Sequence, residues 1–142
     1  MKIIIIEDEK LTAEDLAETI QRSEPGAEIV ATLSSVKEAL NYFNGPVEAD
    51  LIFSDIQLGD GLSFEIFRER KSEIPVIFCT AYDEYALNAF KTNGIDYILK
   101  PFSVHTIRTA LDKYKNLKKV LAPSPNNLEA LLYALDQRPR IT

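Results

Sequence analysis

Five short apolar runs, Ile3 to Ile6, Ile29 to Leu33, Leu51 to Phe53, Val76 to Cys79 and Ile95 to Leu99, recur along the chain with little polar alternation inside them. A strand with one wet face must alternate, because successive side chains point to opposite sides. Runs that stay apolar throughout are covered on both sides, which is the condition of a parallel sheet. Parallel neighbours need long crossovers, and the intervening segments supply them. Ala13, Leu16, Ala17 and Ile20 follow helical spacing, as do Val36, Ala39, Leu40 and Phe43. Capping-box chemistry predicts where these two helices start, at Thr12 with Asp15 and at Ser35 with Glu38. A third helix is expected over Ser63 to Lys71, a fourth ends before Gly94 as its C′ glycine, and Ser103 caps a fifth. Alternating strands and helices with right-handed crossovers give an α/β fold with a doubly wound, five-stranded parallel sheet.

At 142 residues with 46% apolar content, the chain is long enough for one domain with a substantial core. Asp and Glu (22) outnumber Lys and Arg (16), so the net charge of −6 argues against phosphate-backbone binding by this segment. Cys79 is the single cysteine and lies inside an apolar run. That excludes an internal disulfide and suits a reducing, cytoplasmic setting. No apolar stretch approaches the roughly 20 residues of a membrane span. After Val120 the pattern breaks at Ala122-Pro123-Ser124-Pro125-Asn126-Asn127, and Leu128, Leu131, Leu132 and Leu135 offer one more short amphipathic helix. The expected division is a domain over 1–121 and a linker with that helix over 122–142.

In doubly wound sheets the functional crevice lies beyond the carboxyl ends of the strands. Those positions hold Glu7 and Asp8 after the first run, Asp55 after the third, Thr80 after the fourth and Lys100-Pro101 after the fifth. Two carboxylates 4 Å apart repel by ~4 kcal/mol at an effective dielectric of 20. Three at one edge therefore call for a cation, and hard oxygen donors in small number point to Mg²⁺. A carboxylate beside such an ion, a lysine and a threonine hydroxyl suits phosphoryl transfer. Asp55 would be the nucleophile, and Lys100 and Thr80 would hold the transferring oxygens.

Each residue also has a plainer explanation. Glu7-Asp8-Glu9 could simply favour the start of the first helix. Asp55 could be a turn residue, since Leu58-Gly59-Asp60-Gly61 follows. Thr80 could be a strand-end cap and Lys100 a solvated cation. The joint interpretation rests on their arriving together at one edge from different strands.

These residues resemble the receiver family of bacterial two-component response regulators over residues 2 to about 120. The resemblance is carried by Ile-Ile-Glu-Asp-Glu at 5 to 9, Asp55 after an apolar strand, Thr80-Ala81 and Lys100-Pro101-Phe102. It implies the flavodoxin-like, CheY-like strand order 2-1-3-4-5. Asp8 would bind Mg²⁺ directly, Glu7 through water or by placement, and Asp55 and the Gln57 backbone carbonyl would complete the protein ligands. The same resemblance implies a cis peptide before Pro101, a switch role for Tyr97 together with Thr80, and tuning of acyl-phosphate hydrolysis by Gln57 and Tyr82. Tyr97 read by itself is a half-buried strand tyrosine. The run Thr80-Ala81-Tyr82-Asp83-Glu84-Tyr85-Ala86 with Gly94-Ile95-Asp96-Tyr97 resembles the subfamily whose receivers carry a LytTR DNA-binding output domain.

The implied partners are a sensor histidine kinase, a second copy through the face of the fourth helix, fifth strand and fifth helix, and DNA only through an output domain not in this chain. Lys113, Lys115, Lys118 and Lys119 read as a solvated helix face near a C-terminal dipole, and His105 as a surface residue. Two other functions compete. A Mg²⁺-dependent aspartyl phosphatase would need an acid two residues after the nucleophile, where Gln57 stands. A pseudo-receiver binding module would have lost an acid or the lysine, and all are present. A flavodoxin-like cofactor carrier lacks its phosphate loop after the first strand.

Overall fold

The computed structural model describes residues 1–69, 74–82 and 94–121. A parallel sheet in the order β2-β1-β3-β6-β7 runs through it, built from β1 (Lys2–Ile6), β2 (Glu28–Leu33), β3 (Leu51–Ser54), β6 (Val76–Thr80) and β7 (Gly94–Leu99). These are the five apolar runs, and the order is the expected 2-1-3-4-5. A small antiparallel hairpin of β4 (Gln57–Leu58) and β5 (Gly61–Leu62) follows β3. The described helices are α1 (Lys10–Ser23), α2 (Val36–Tyr42), α3 (Phe64–Glu69) and α4 (Val104–Leu121), the last being the fifth of the sequence pattern. The expected fourth helix, the end of the third beyond residue 69, the linker at 122–127 and the helix at 128–135 lie outside the described residues. No described helix is long and apolar enough to cross a membrane.

The sheet has a packed layer on each side, and residue parity along the strands decides which. Ile3, Ile5, Leu51, Phe53, Ile77 and Cys79 face Leu16 and Ile20 of α1 and Ile107, Leu111 and Tyr114 of α4. Ile4, Ile6, Ile52 and Phe78 face Val36 and Ala39 of α2 and Phe64, Ile66 and Phe67 of α3. Phe78 meets the rings of Phe64 and Phe67 edge-on, at 5.3 and 5.9 Å. Burial on both sides explains why the strands do not alternate.

One boundary differs from the sequence expectation. Thr12 does not cap α1: the helix starts three residues earlier than a Thr12 cap would set it, Glu9 occupies the cap position without a side-chain cap, and the Thr12 hydroxyl donates to the Glu9 carboxylate. The Glu9 carbonyl already accepts from Ala13 N at 2.9 Å, so the turn forms as soon as the strand ends. Ser35 does cap α2, its Oγ accepting from Glu38 N at 2.9 Å. Ser103 accepts likewise from Thr106 N at 3.1 Å and opens α4. Gly94 is the first residue of β7, and the fourth helix expected before it lies outside the described residues.

Candidate functional site

The chemistry gathers where β1, β3, β6 and β7 end. Glu7 follows four isoleucines that are all fully buried, and its N–H donates to the Leu33 carbonyl at 2.9 Å, so β2 fixes the point where the chain leaves the sheet. Asp55 is fixed in the same way, its N–H donating to the Ile6 carbonyl at 2.8 Å. Lys100 hangs from the end of β7 and donates its N–H to the Thr80 carbonyl at 2.8 Å. The Lys100–Pro101 peptide is cis.

Ligand oxygens of Glu7, Asp8 and Asp55 all lie within 4.8 Å of one another. The Lys100 ammonium bridges two of them, donating to Asp55 Oδ2 at 2.8 Å and to Glu7 Oε1. Asp55 Oδ1 accepts from Ile56 N at 2.6 Å. Glu7 is buried, Asp55 half-buried and Asp8 exposed, so the cluster runs from the core to solvent. Burial pushes the Glu7 carboxyl up to about 7, with Asp8 and Asp55 adding to the rise and Lys100 opposing it. Burial works against the Lys100 charge, yet the two carboxylates outweigh it and hold the ammonium above its ordinary range. Burial likewise pushes the Cys79 thiol up to about 12, which agrees with a small hydrophobe and no thiolate chemistry.

A divalent cation fits this arrangement. Three carboxylates face one ammonium, which leaves an excess of negative charge when all are ionised, and the donors are hard oxygens. The loop after Asp55 also borders the cluster, since a Cβ on Gly59 would stand in ordinary contact with Asp8 Oδ2 at 3.9 Å.

Thr80 is fully buried, and its Oγ accepts weakly from Tyr82 N at 3.4 Å. Tyr97 is half-buried against the α2/α3 layer, and its hydroxyl donates to the Tyr82 carbonyl, linking β7 to the segment after β6. Tyr82 is exposed, and Gln57 opens the β4–β5 hairpin two residues after Asp55. The basic stretch on α4 is partly committed to acids: Lys115 pairs with Glu24, and Lys113 lies 3.5 Å from Asp96. One residue read as an ordinary turn former does more. Asp60 reaches the start of α2, where its Oδ1 accepts from Val36 N at 2.8 Å and its Oδ2 from Lys37 N at 3.0 Å. No sequence signal marks so distant a partner.

The comparisons agree with this geometry. Residues 3–112 match the response regulator receiver domain. The chain is 38% identical over 124 residues to the sensory transduction protein LytT of Bacillus anthracis, covering 84% of this chain and 49% of that one. It is 35% identical over 136 residues to the transcriptional regulatory protein LytR of Staphylococcus aureus, covering 92% and 52%. The chain thus spans about half the length of these relatives. Among solved structures, the response regulatory domain of mrkE from Klebsiella pneumoniae superposes with a TM-score of 0.72 at 31% identity, covering 84% of this chain and 98% of that one. The chain belongs to the response regulator receiver domain family, with LytT- and LytR-type regulators among its relatives.

Proposed function

We propose that the chain accepts a phosphoryl group on Asp55 from the phosphohistidine of a sensor kinase and passes the signal to an output domain. The observation that carries this is the meeting of Glu7, Asp8 and Asp55 with the Lys100 ammonium at one sheet edge. Asp8, Asp55 and the Gln57 carbonyl would hold Mg²⁺, with Glu7 behind them, and the bound ion would offset charge on the phosphoryl oxygens. An Asp55 carboxylate oxygen attacks phosphorus, the P–N bond to the donor imidazole breaks, and an acyl phosphate forms. Lys100 then exchanges a carboxylate contact for a phosphoryl oxygen, and the Thr80 hydroxyl donates to another. The backbone on both sides of Asp55 is hydrogen-bonded before the reaction, so little reorganisation is needed.

The new charge of about −1.5 to −2 would draw Thr80 toward the phosphoryl group. Tyr97 is tied through its hydroxyl to the segment that must follow, so its ring would move with it. Complete reversal of a two-state population asks for ~5.5 kcal/mol of preference. The surface of β7 and α4 would report the change, to a second copy or to an output domain. One relative is a transcriptional regulatory protein and both are about twice this length, which supports an output that acts on DNA, while the break in pattern at 122–127 supports a boundary near residue 121. Gln57 in place of an acid leaves phosphatase turnover without its proton donor.

Intact mass measured before and after acetyl phosphate with Mg²⁺ tests the assignment. Wild type should gain one phosphate and Asp55→Asn none. Equal gain in both proteins would refute Asp55 as the acceptor.

A further inference from the structure

The loop after Asp55 carries the Gln57 carbonyl, yet it has little structure of its own. Its β4–β5 ladder pairs only Gln57 with Leu62 and Leu58 with Gly61, and so short a ladder does not hold its shape in water. At its root, Ser63 N donates to the Ile56 carbonyl at 2.8 Å. At its tip, Gly59 approaches Asp8 and Gly61 takes a φ of +149°, beside Asp60. The tip is thus a turn that needs glycine at 61 and lies beside Asp8 of the acidic cluster.

We propose that Asp60 is a positioning residue for the ion site: by gripping the first turn of α2, it holds the 57–62 hairpin where the Gln57 carbonyl and the Gly59 backbone stand against Asp8 and Asp55. The proposal rests on the receiver function above. Both Asp60 oxygens are engaged, each on a separate backbone N–H, and this arrangement fixes direction as well as distance. The two N–H groups hold the Asp60 carboxyl below its ordinary range, consistent with a bond made by the ionised form. Ser35 serves Glu38 N and Asp60 serves the two N–H groups before it, so the bond ties the loop and the first turn of α2 to each other. Because α2 follows directly from β2, and β2 anchors Glu7 through Leu33, one continuous path braces both sides of the cluster.

The test compares wild type, Asp60→Ala, Asp60→Asn and Ser35→Ala, all as the full chain, by thermal melting and by the Mg²⁺ concentration that half-saturates phosphoryl loading from acetyl phosphate. Removing a group that orients a metal ligand weakens the ion by about tenfold or more. Asp60→Ala should raise the half-saturating Mg²⁺ by that factor, and Asp60→Asn, which keeps one acceptor oxygen, should fall between. Ser35→Ala removes a cap from the same helix without touching the hairpin, so it should lower the melting temperature while leaving the Mg²⁺ requirement within twofold of wild type. If Asp60→Ala does not fold, the Asn variant carries the comparison. A Mg²⁺ requirement unchanged in the folded Asp60 variants, or shifted equally by Ser35→Ala, overturns the proposal while wild-type loading leaves the receiver function standing. A wild-type chain that takes no phosphate overturns both.

Discussion

Replacing Glu7 with glutamine should make the metal-free protein more stable at pH 8 and no more stable at pH 5. Glu7 is 3% exposed, and its carboxyl titrates near 7 instead of the ordinary 4.5. The folded state therefore binds a proton that the unfolded chain has released, and the stability this carries is complete below pH 4.5 and lost as pH rises through 7. At about 1.4 kcal/mol per pH unit, the interval amounts to about 3 kcal/mol. Glutamine keeps the shape, offers Lys100 an oxygen, and carries no such penalty. For a domain of this size, at roughly 4 °C per kcal/mol, the variant should melt roughly 12 °C above wild type at pH 8 in EDTA. The two melting curves should converge at pH 5, and adding Mg²⁺ at pH 8 should stabilise wild type more than the variant. A melting difference that is constant between pH 5 and 8, or a wild type that is the more stable at pH 8 in EDTA, would refute the reasoning.

Lys100→Ala strips the cation from between Glu7 and Asp55, and loading of Asp55 by acetyl phosphate should slow by about 10²-fold or more; a rate within a few-fold of wild type counts against a phosphoryl contact. Gly61→Ala places a Cβ 3.1 Å from Glu65 Oε2 on a backbone with φ of +149°. Glu65 can swing away but the backbone strain stays, so the urea midpoint should fall by an amount worth about 1–2 kcal/mol with m unchanged. Tyr82→Ala should shorten the acyl-phosphate half-life by admitting water; an unchanged half-life removes Tyr82 as the shield.

The sheet was legible because burial on both sides leaves a composition that few other structures share, and Ile3 to Ile6 alone nearly dictates it. The site followed from the general placement of crevices at carboxyl strand ends, which brought Glu7, Asp8, Asp55 and Lys100 under suspicion before any contact was seen. Local signals served less well where tertiary bonds compete with them. Thr12 has capping chemistry, but a helix entered directly from β1 starts too early to use it. Asp60 looked like any turn aspartate because its partners lie 23 and 24 residues away.

The run of four isoleucines in β1 also separates foldability from competence. Sliding a strand by one residue normally exposes its apolar set, but here three of the four buried positions would still hold isoleucine, and only one end would take Lys2 or Glu7. What resists the slip stands at the two ends: the Asp50 carboxylate accepting from Lys2 N at 2.8 Å, and the Glu7 amide on Leu33. Insertion of one isoleucine, which keeps all four buried positions filled, should therefore yield a protein that still folds but whose acids are displaced by about 3.3 Å along the strand. Such a variant would pass a solubility screen and fail as a signal carrier, so the intolerance of this strand to length change would measure the demands of the rim and not those of the interior.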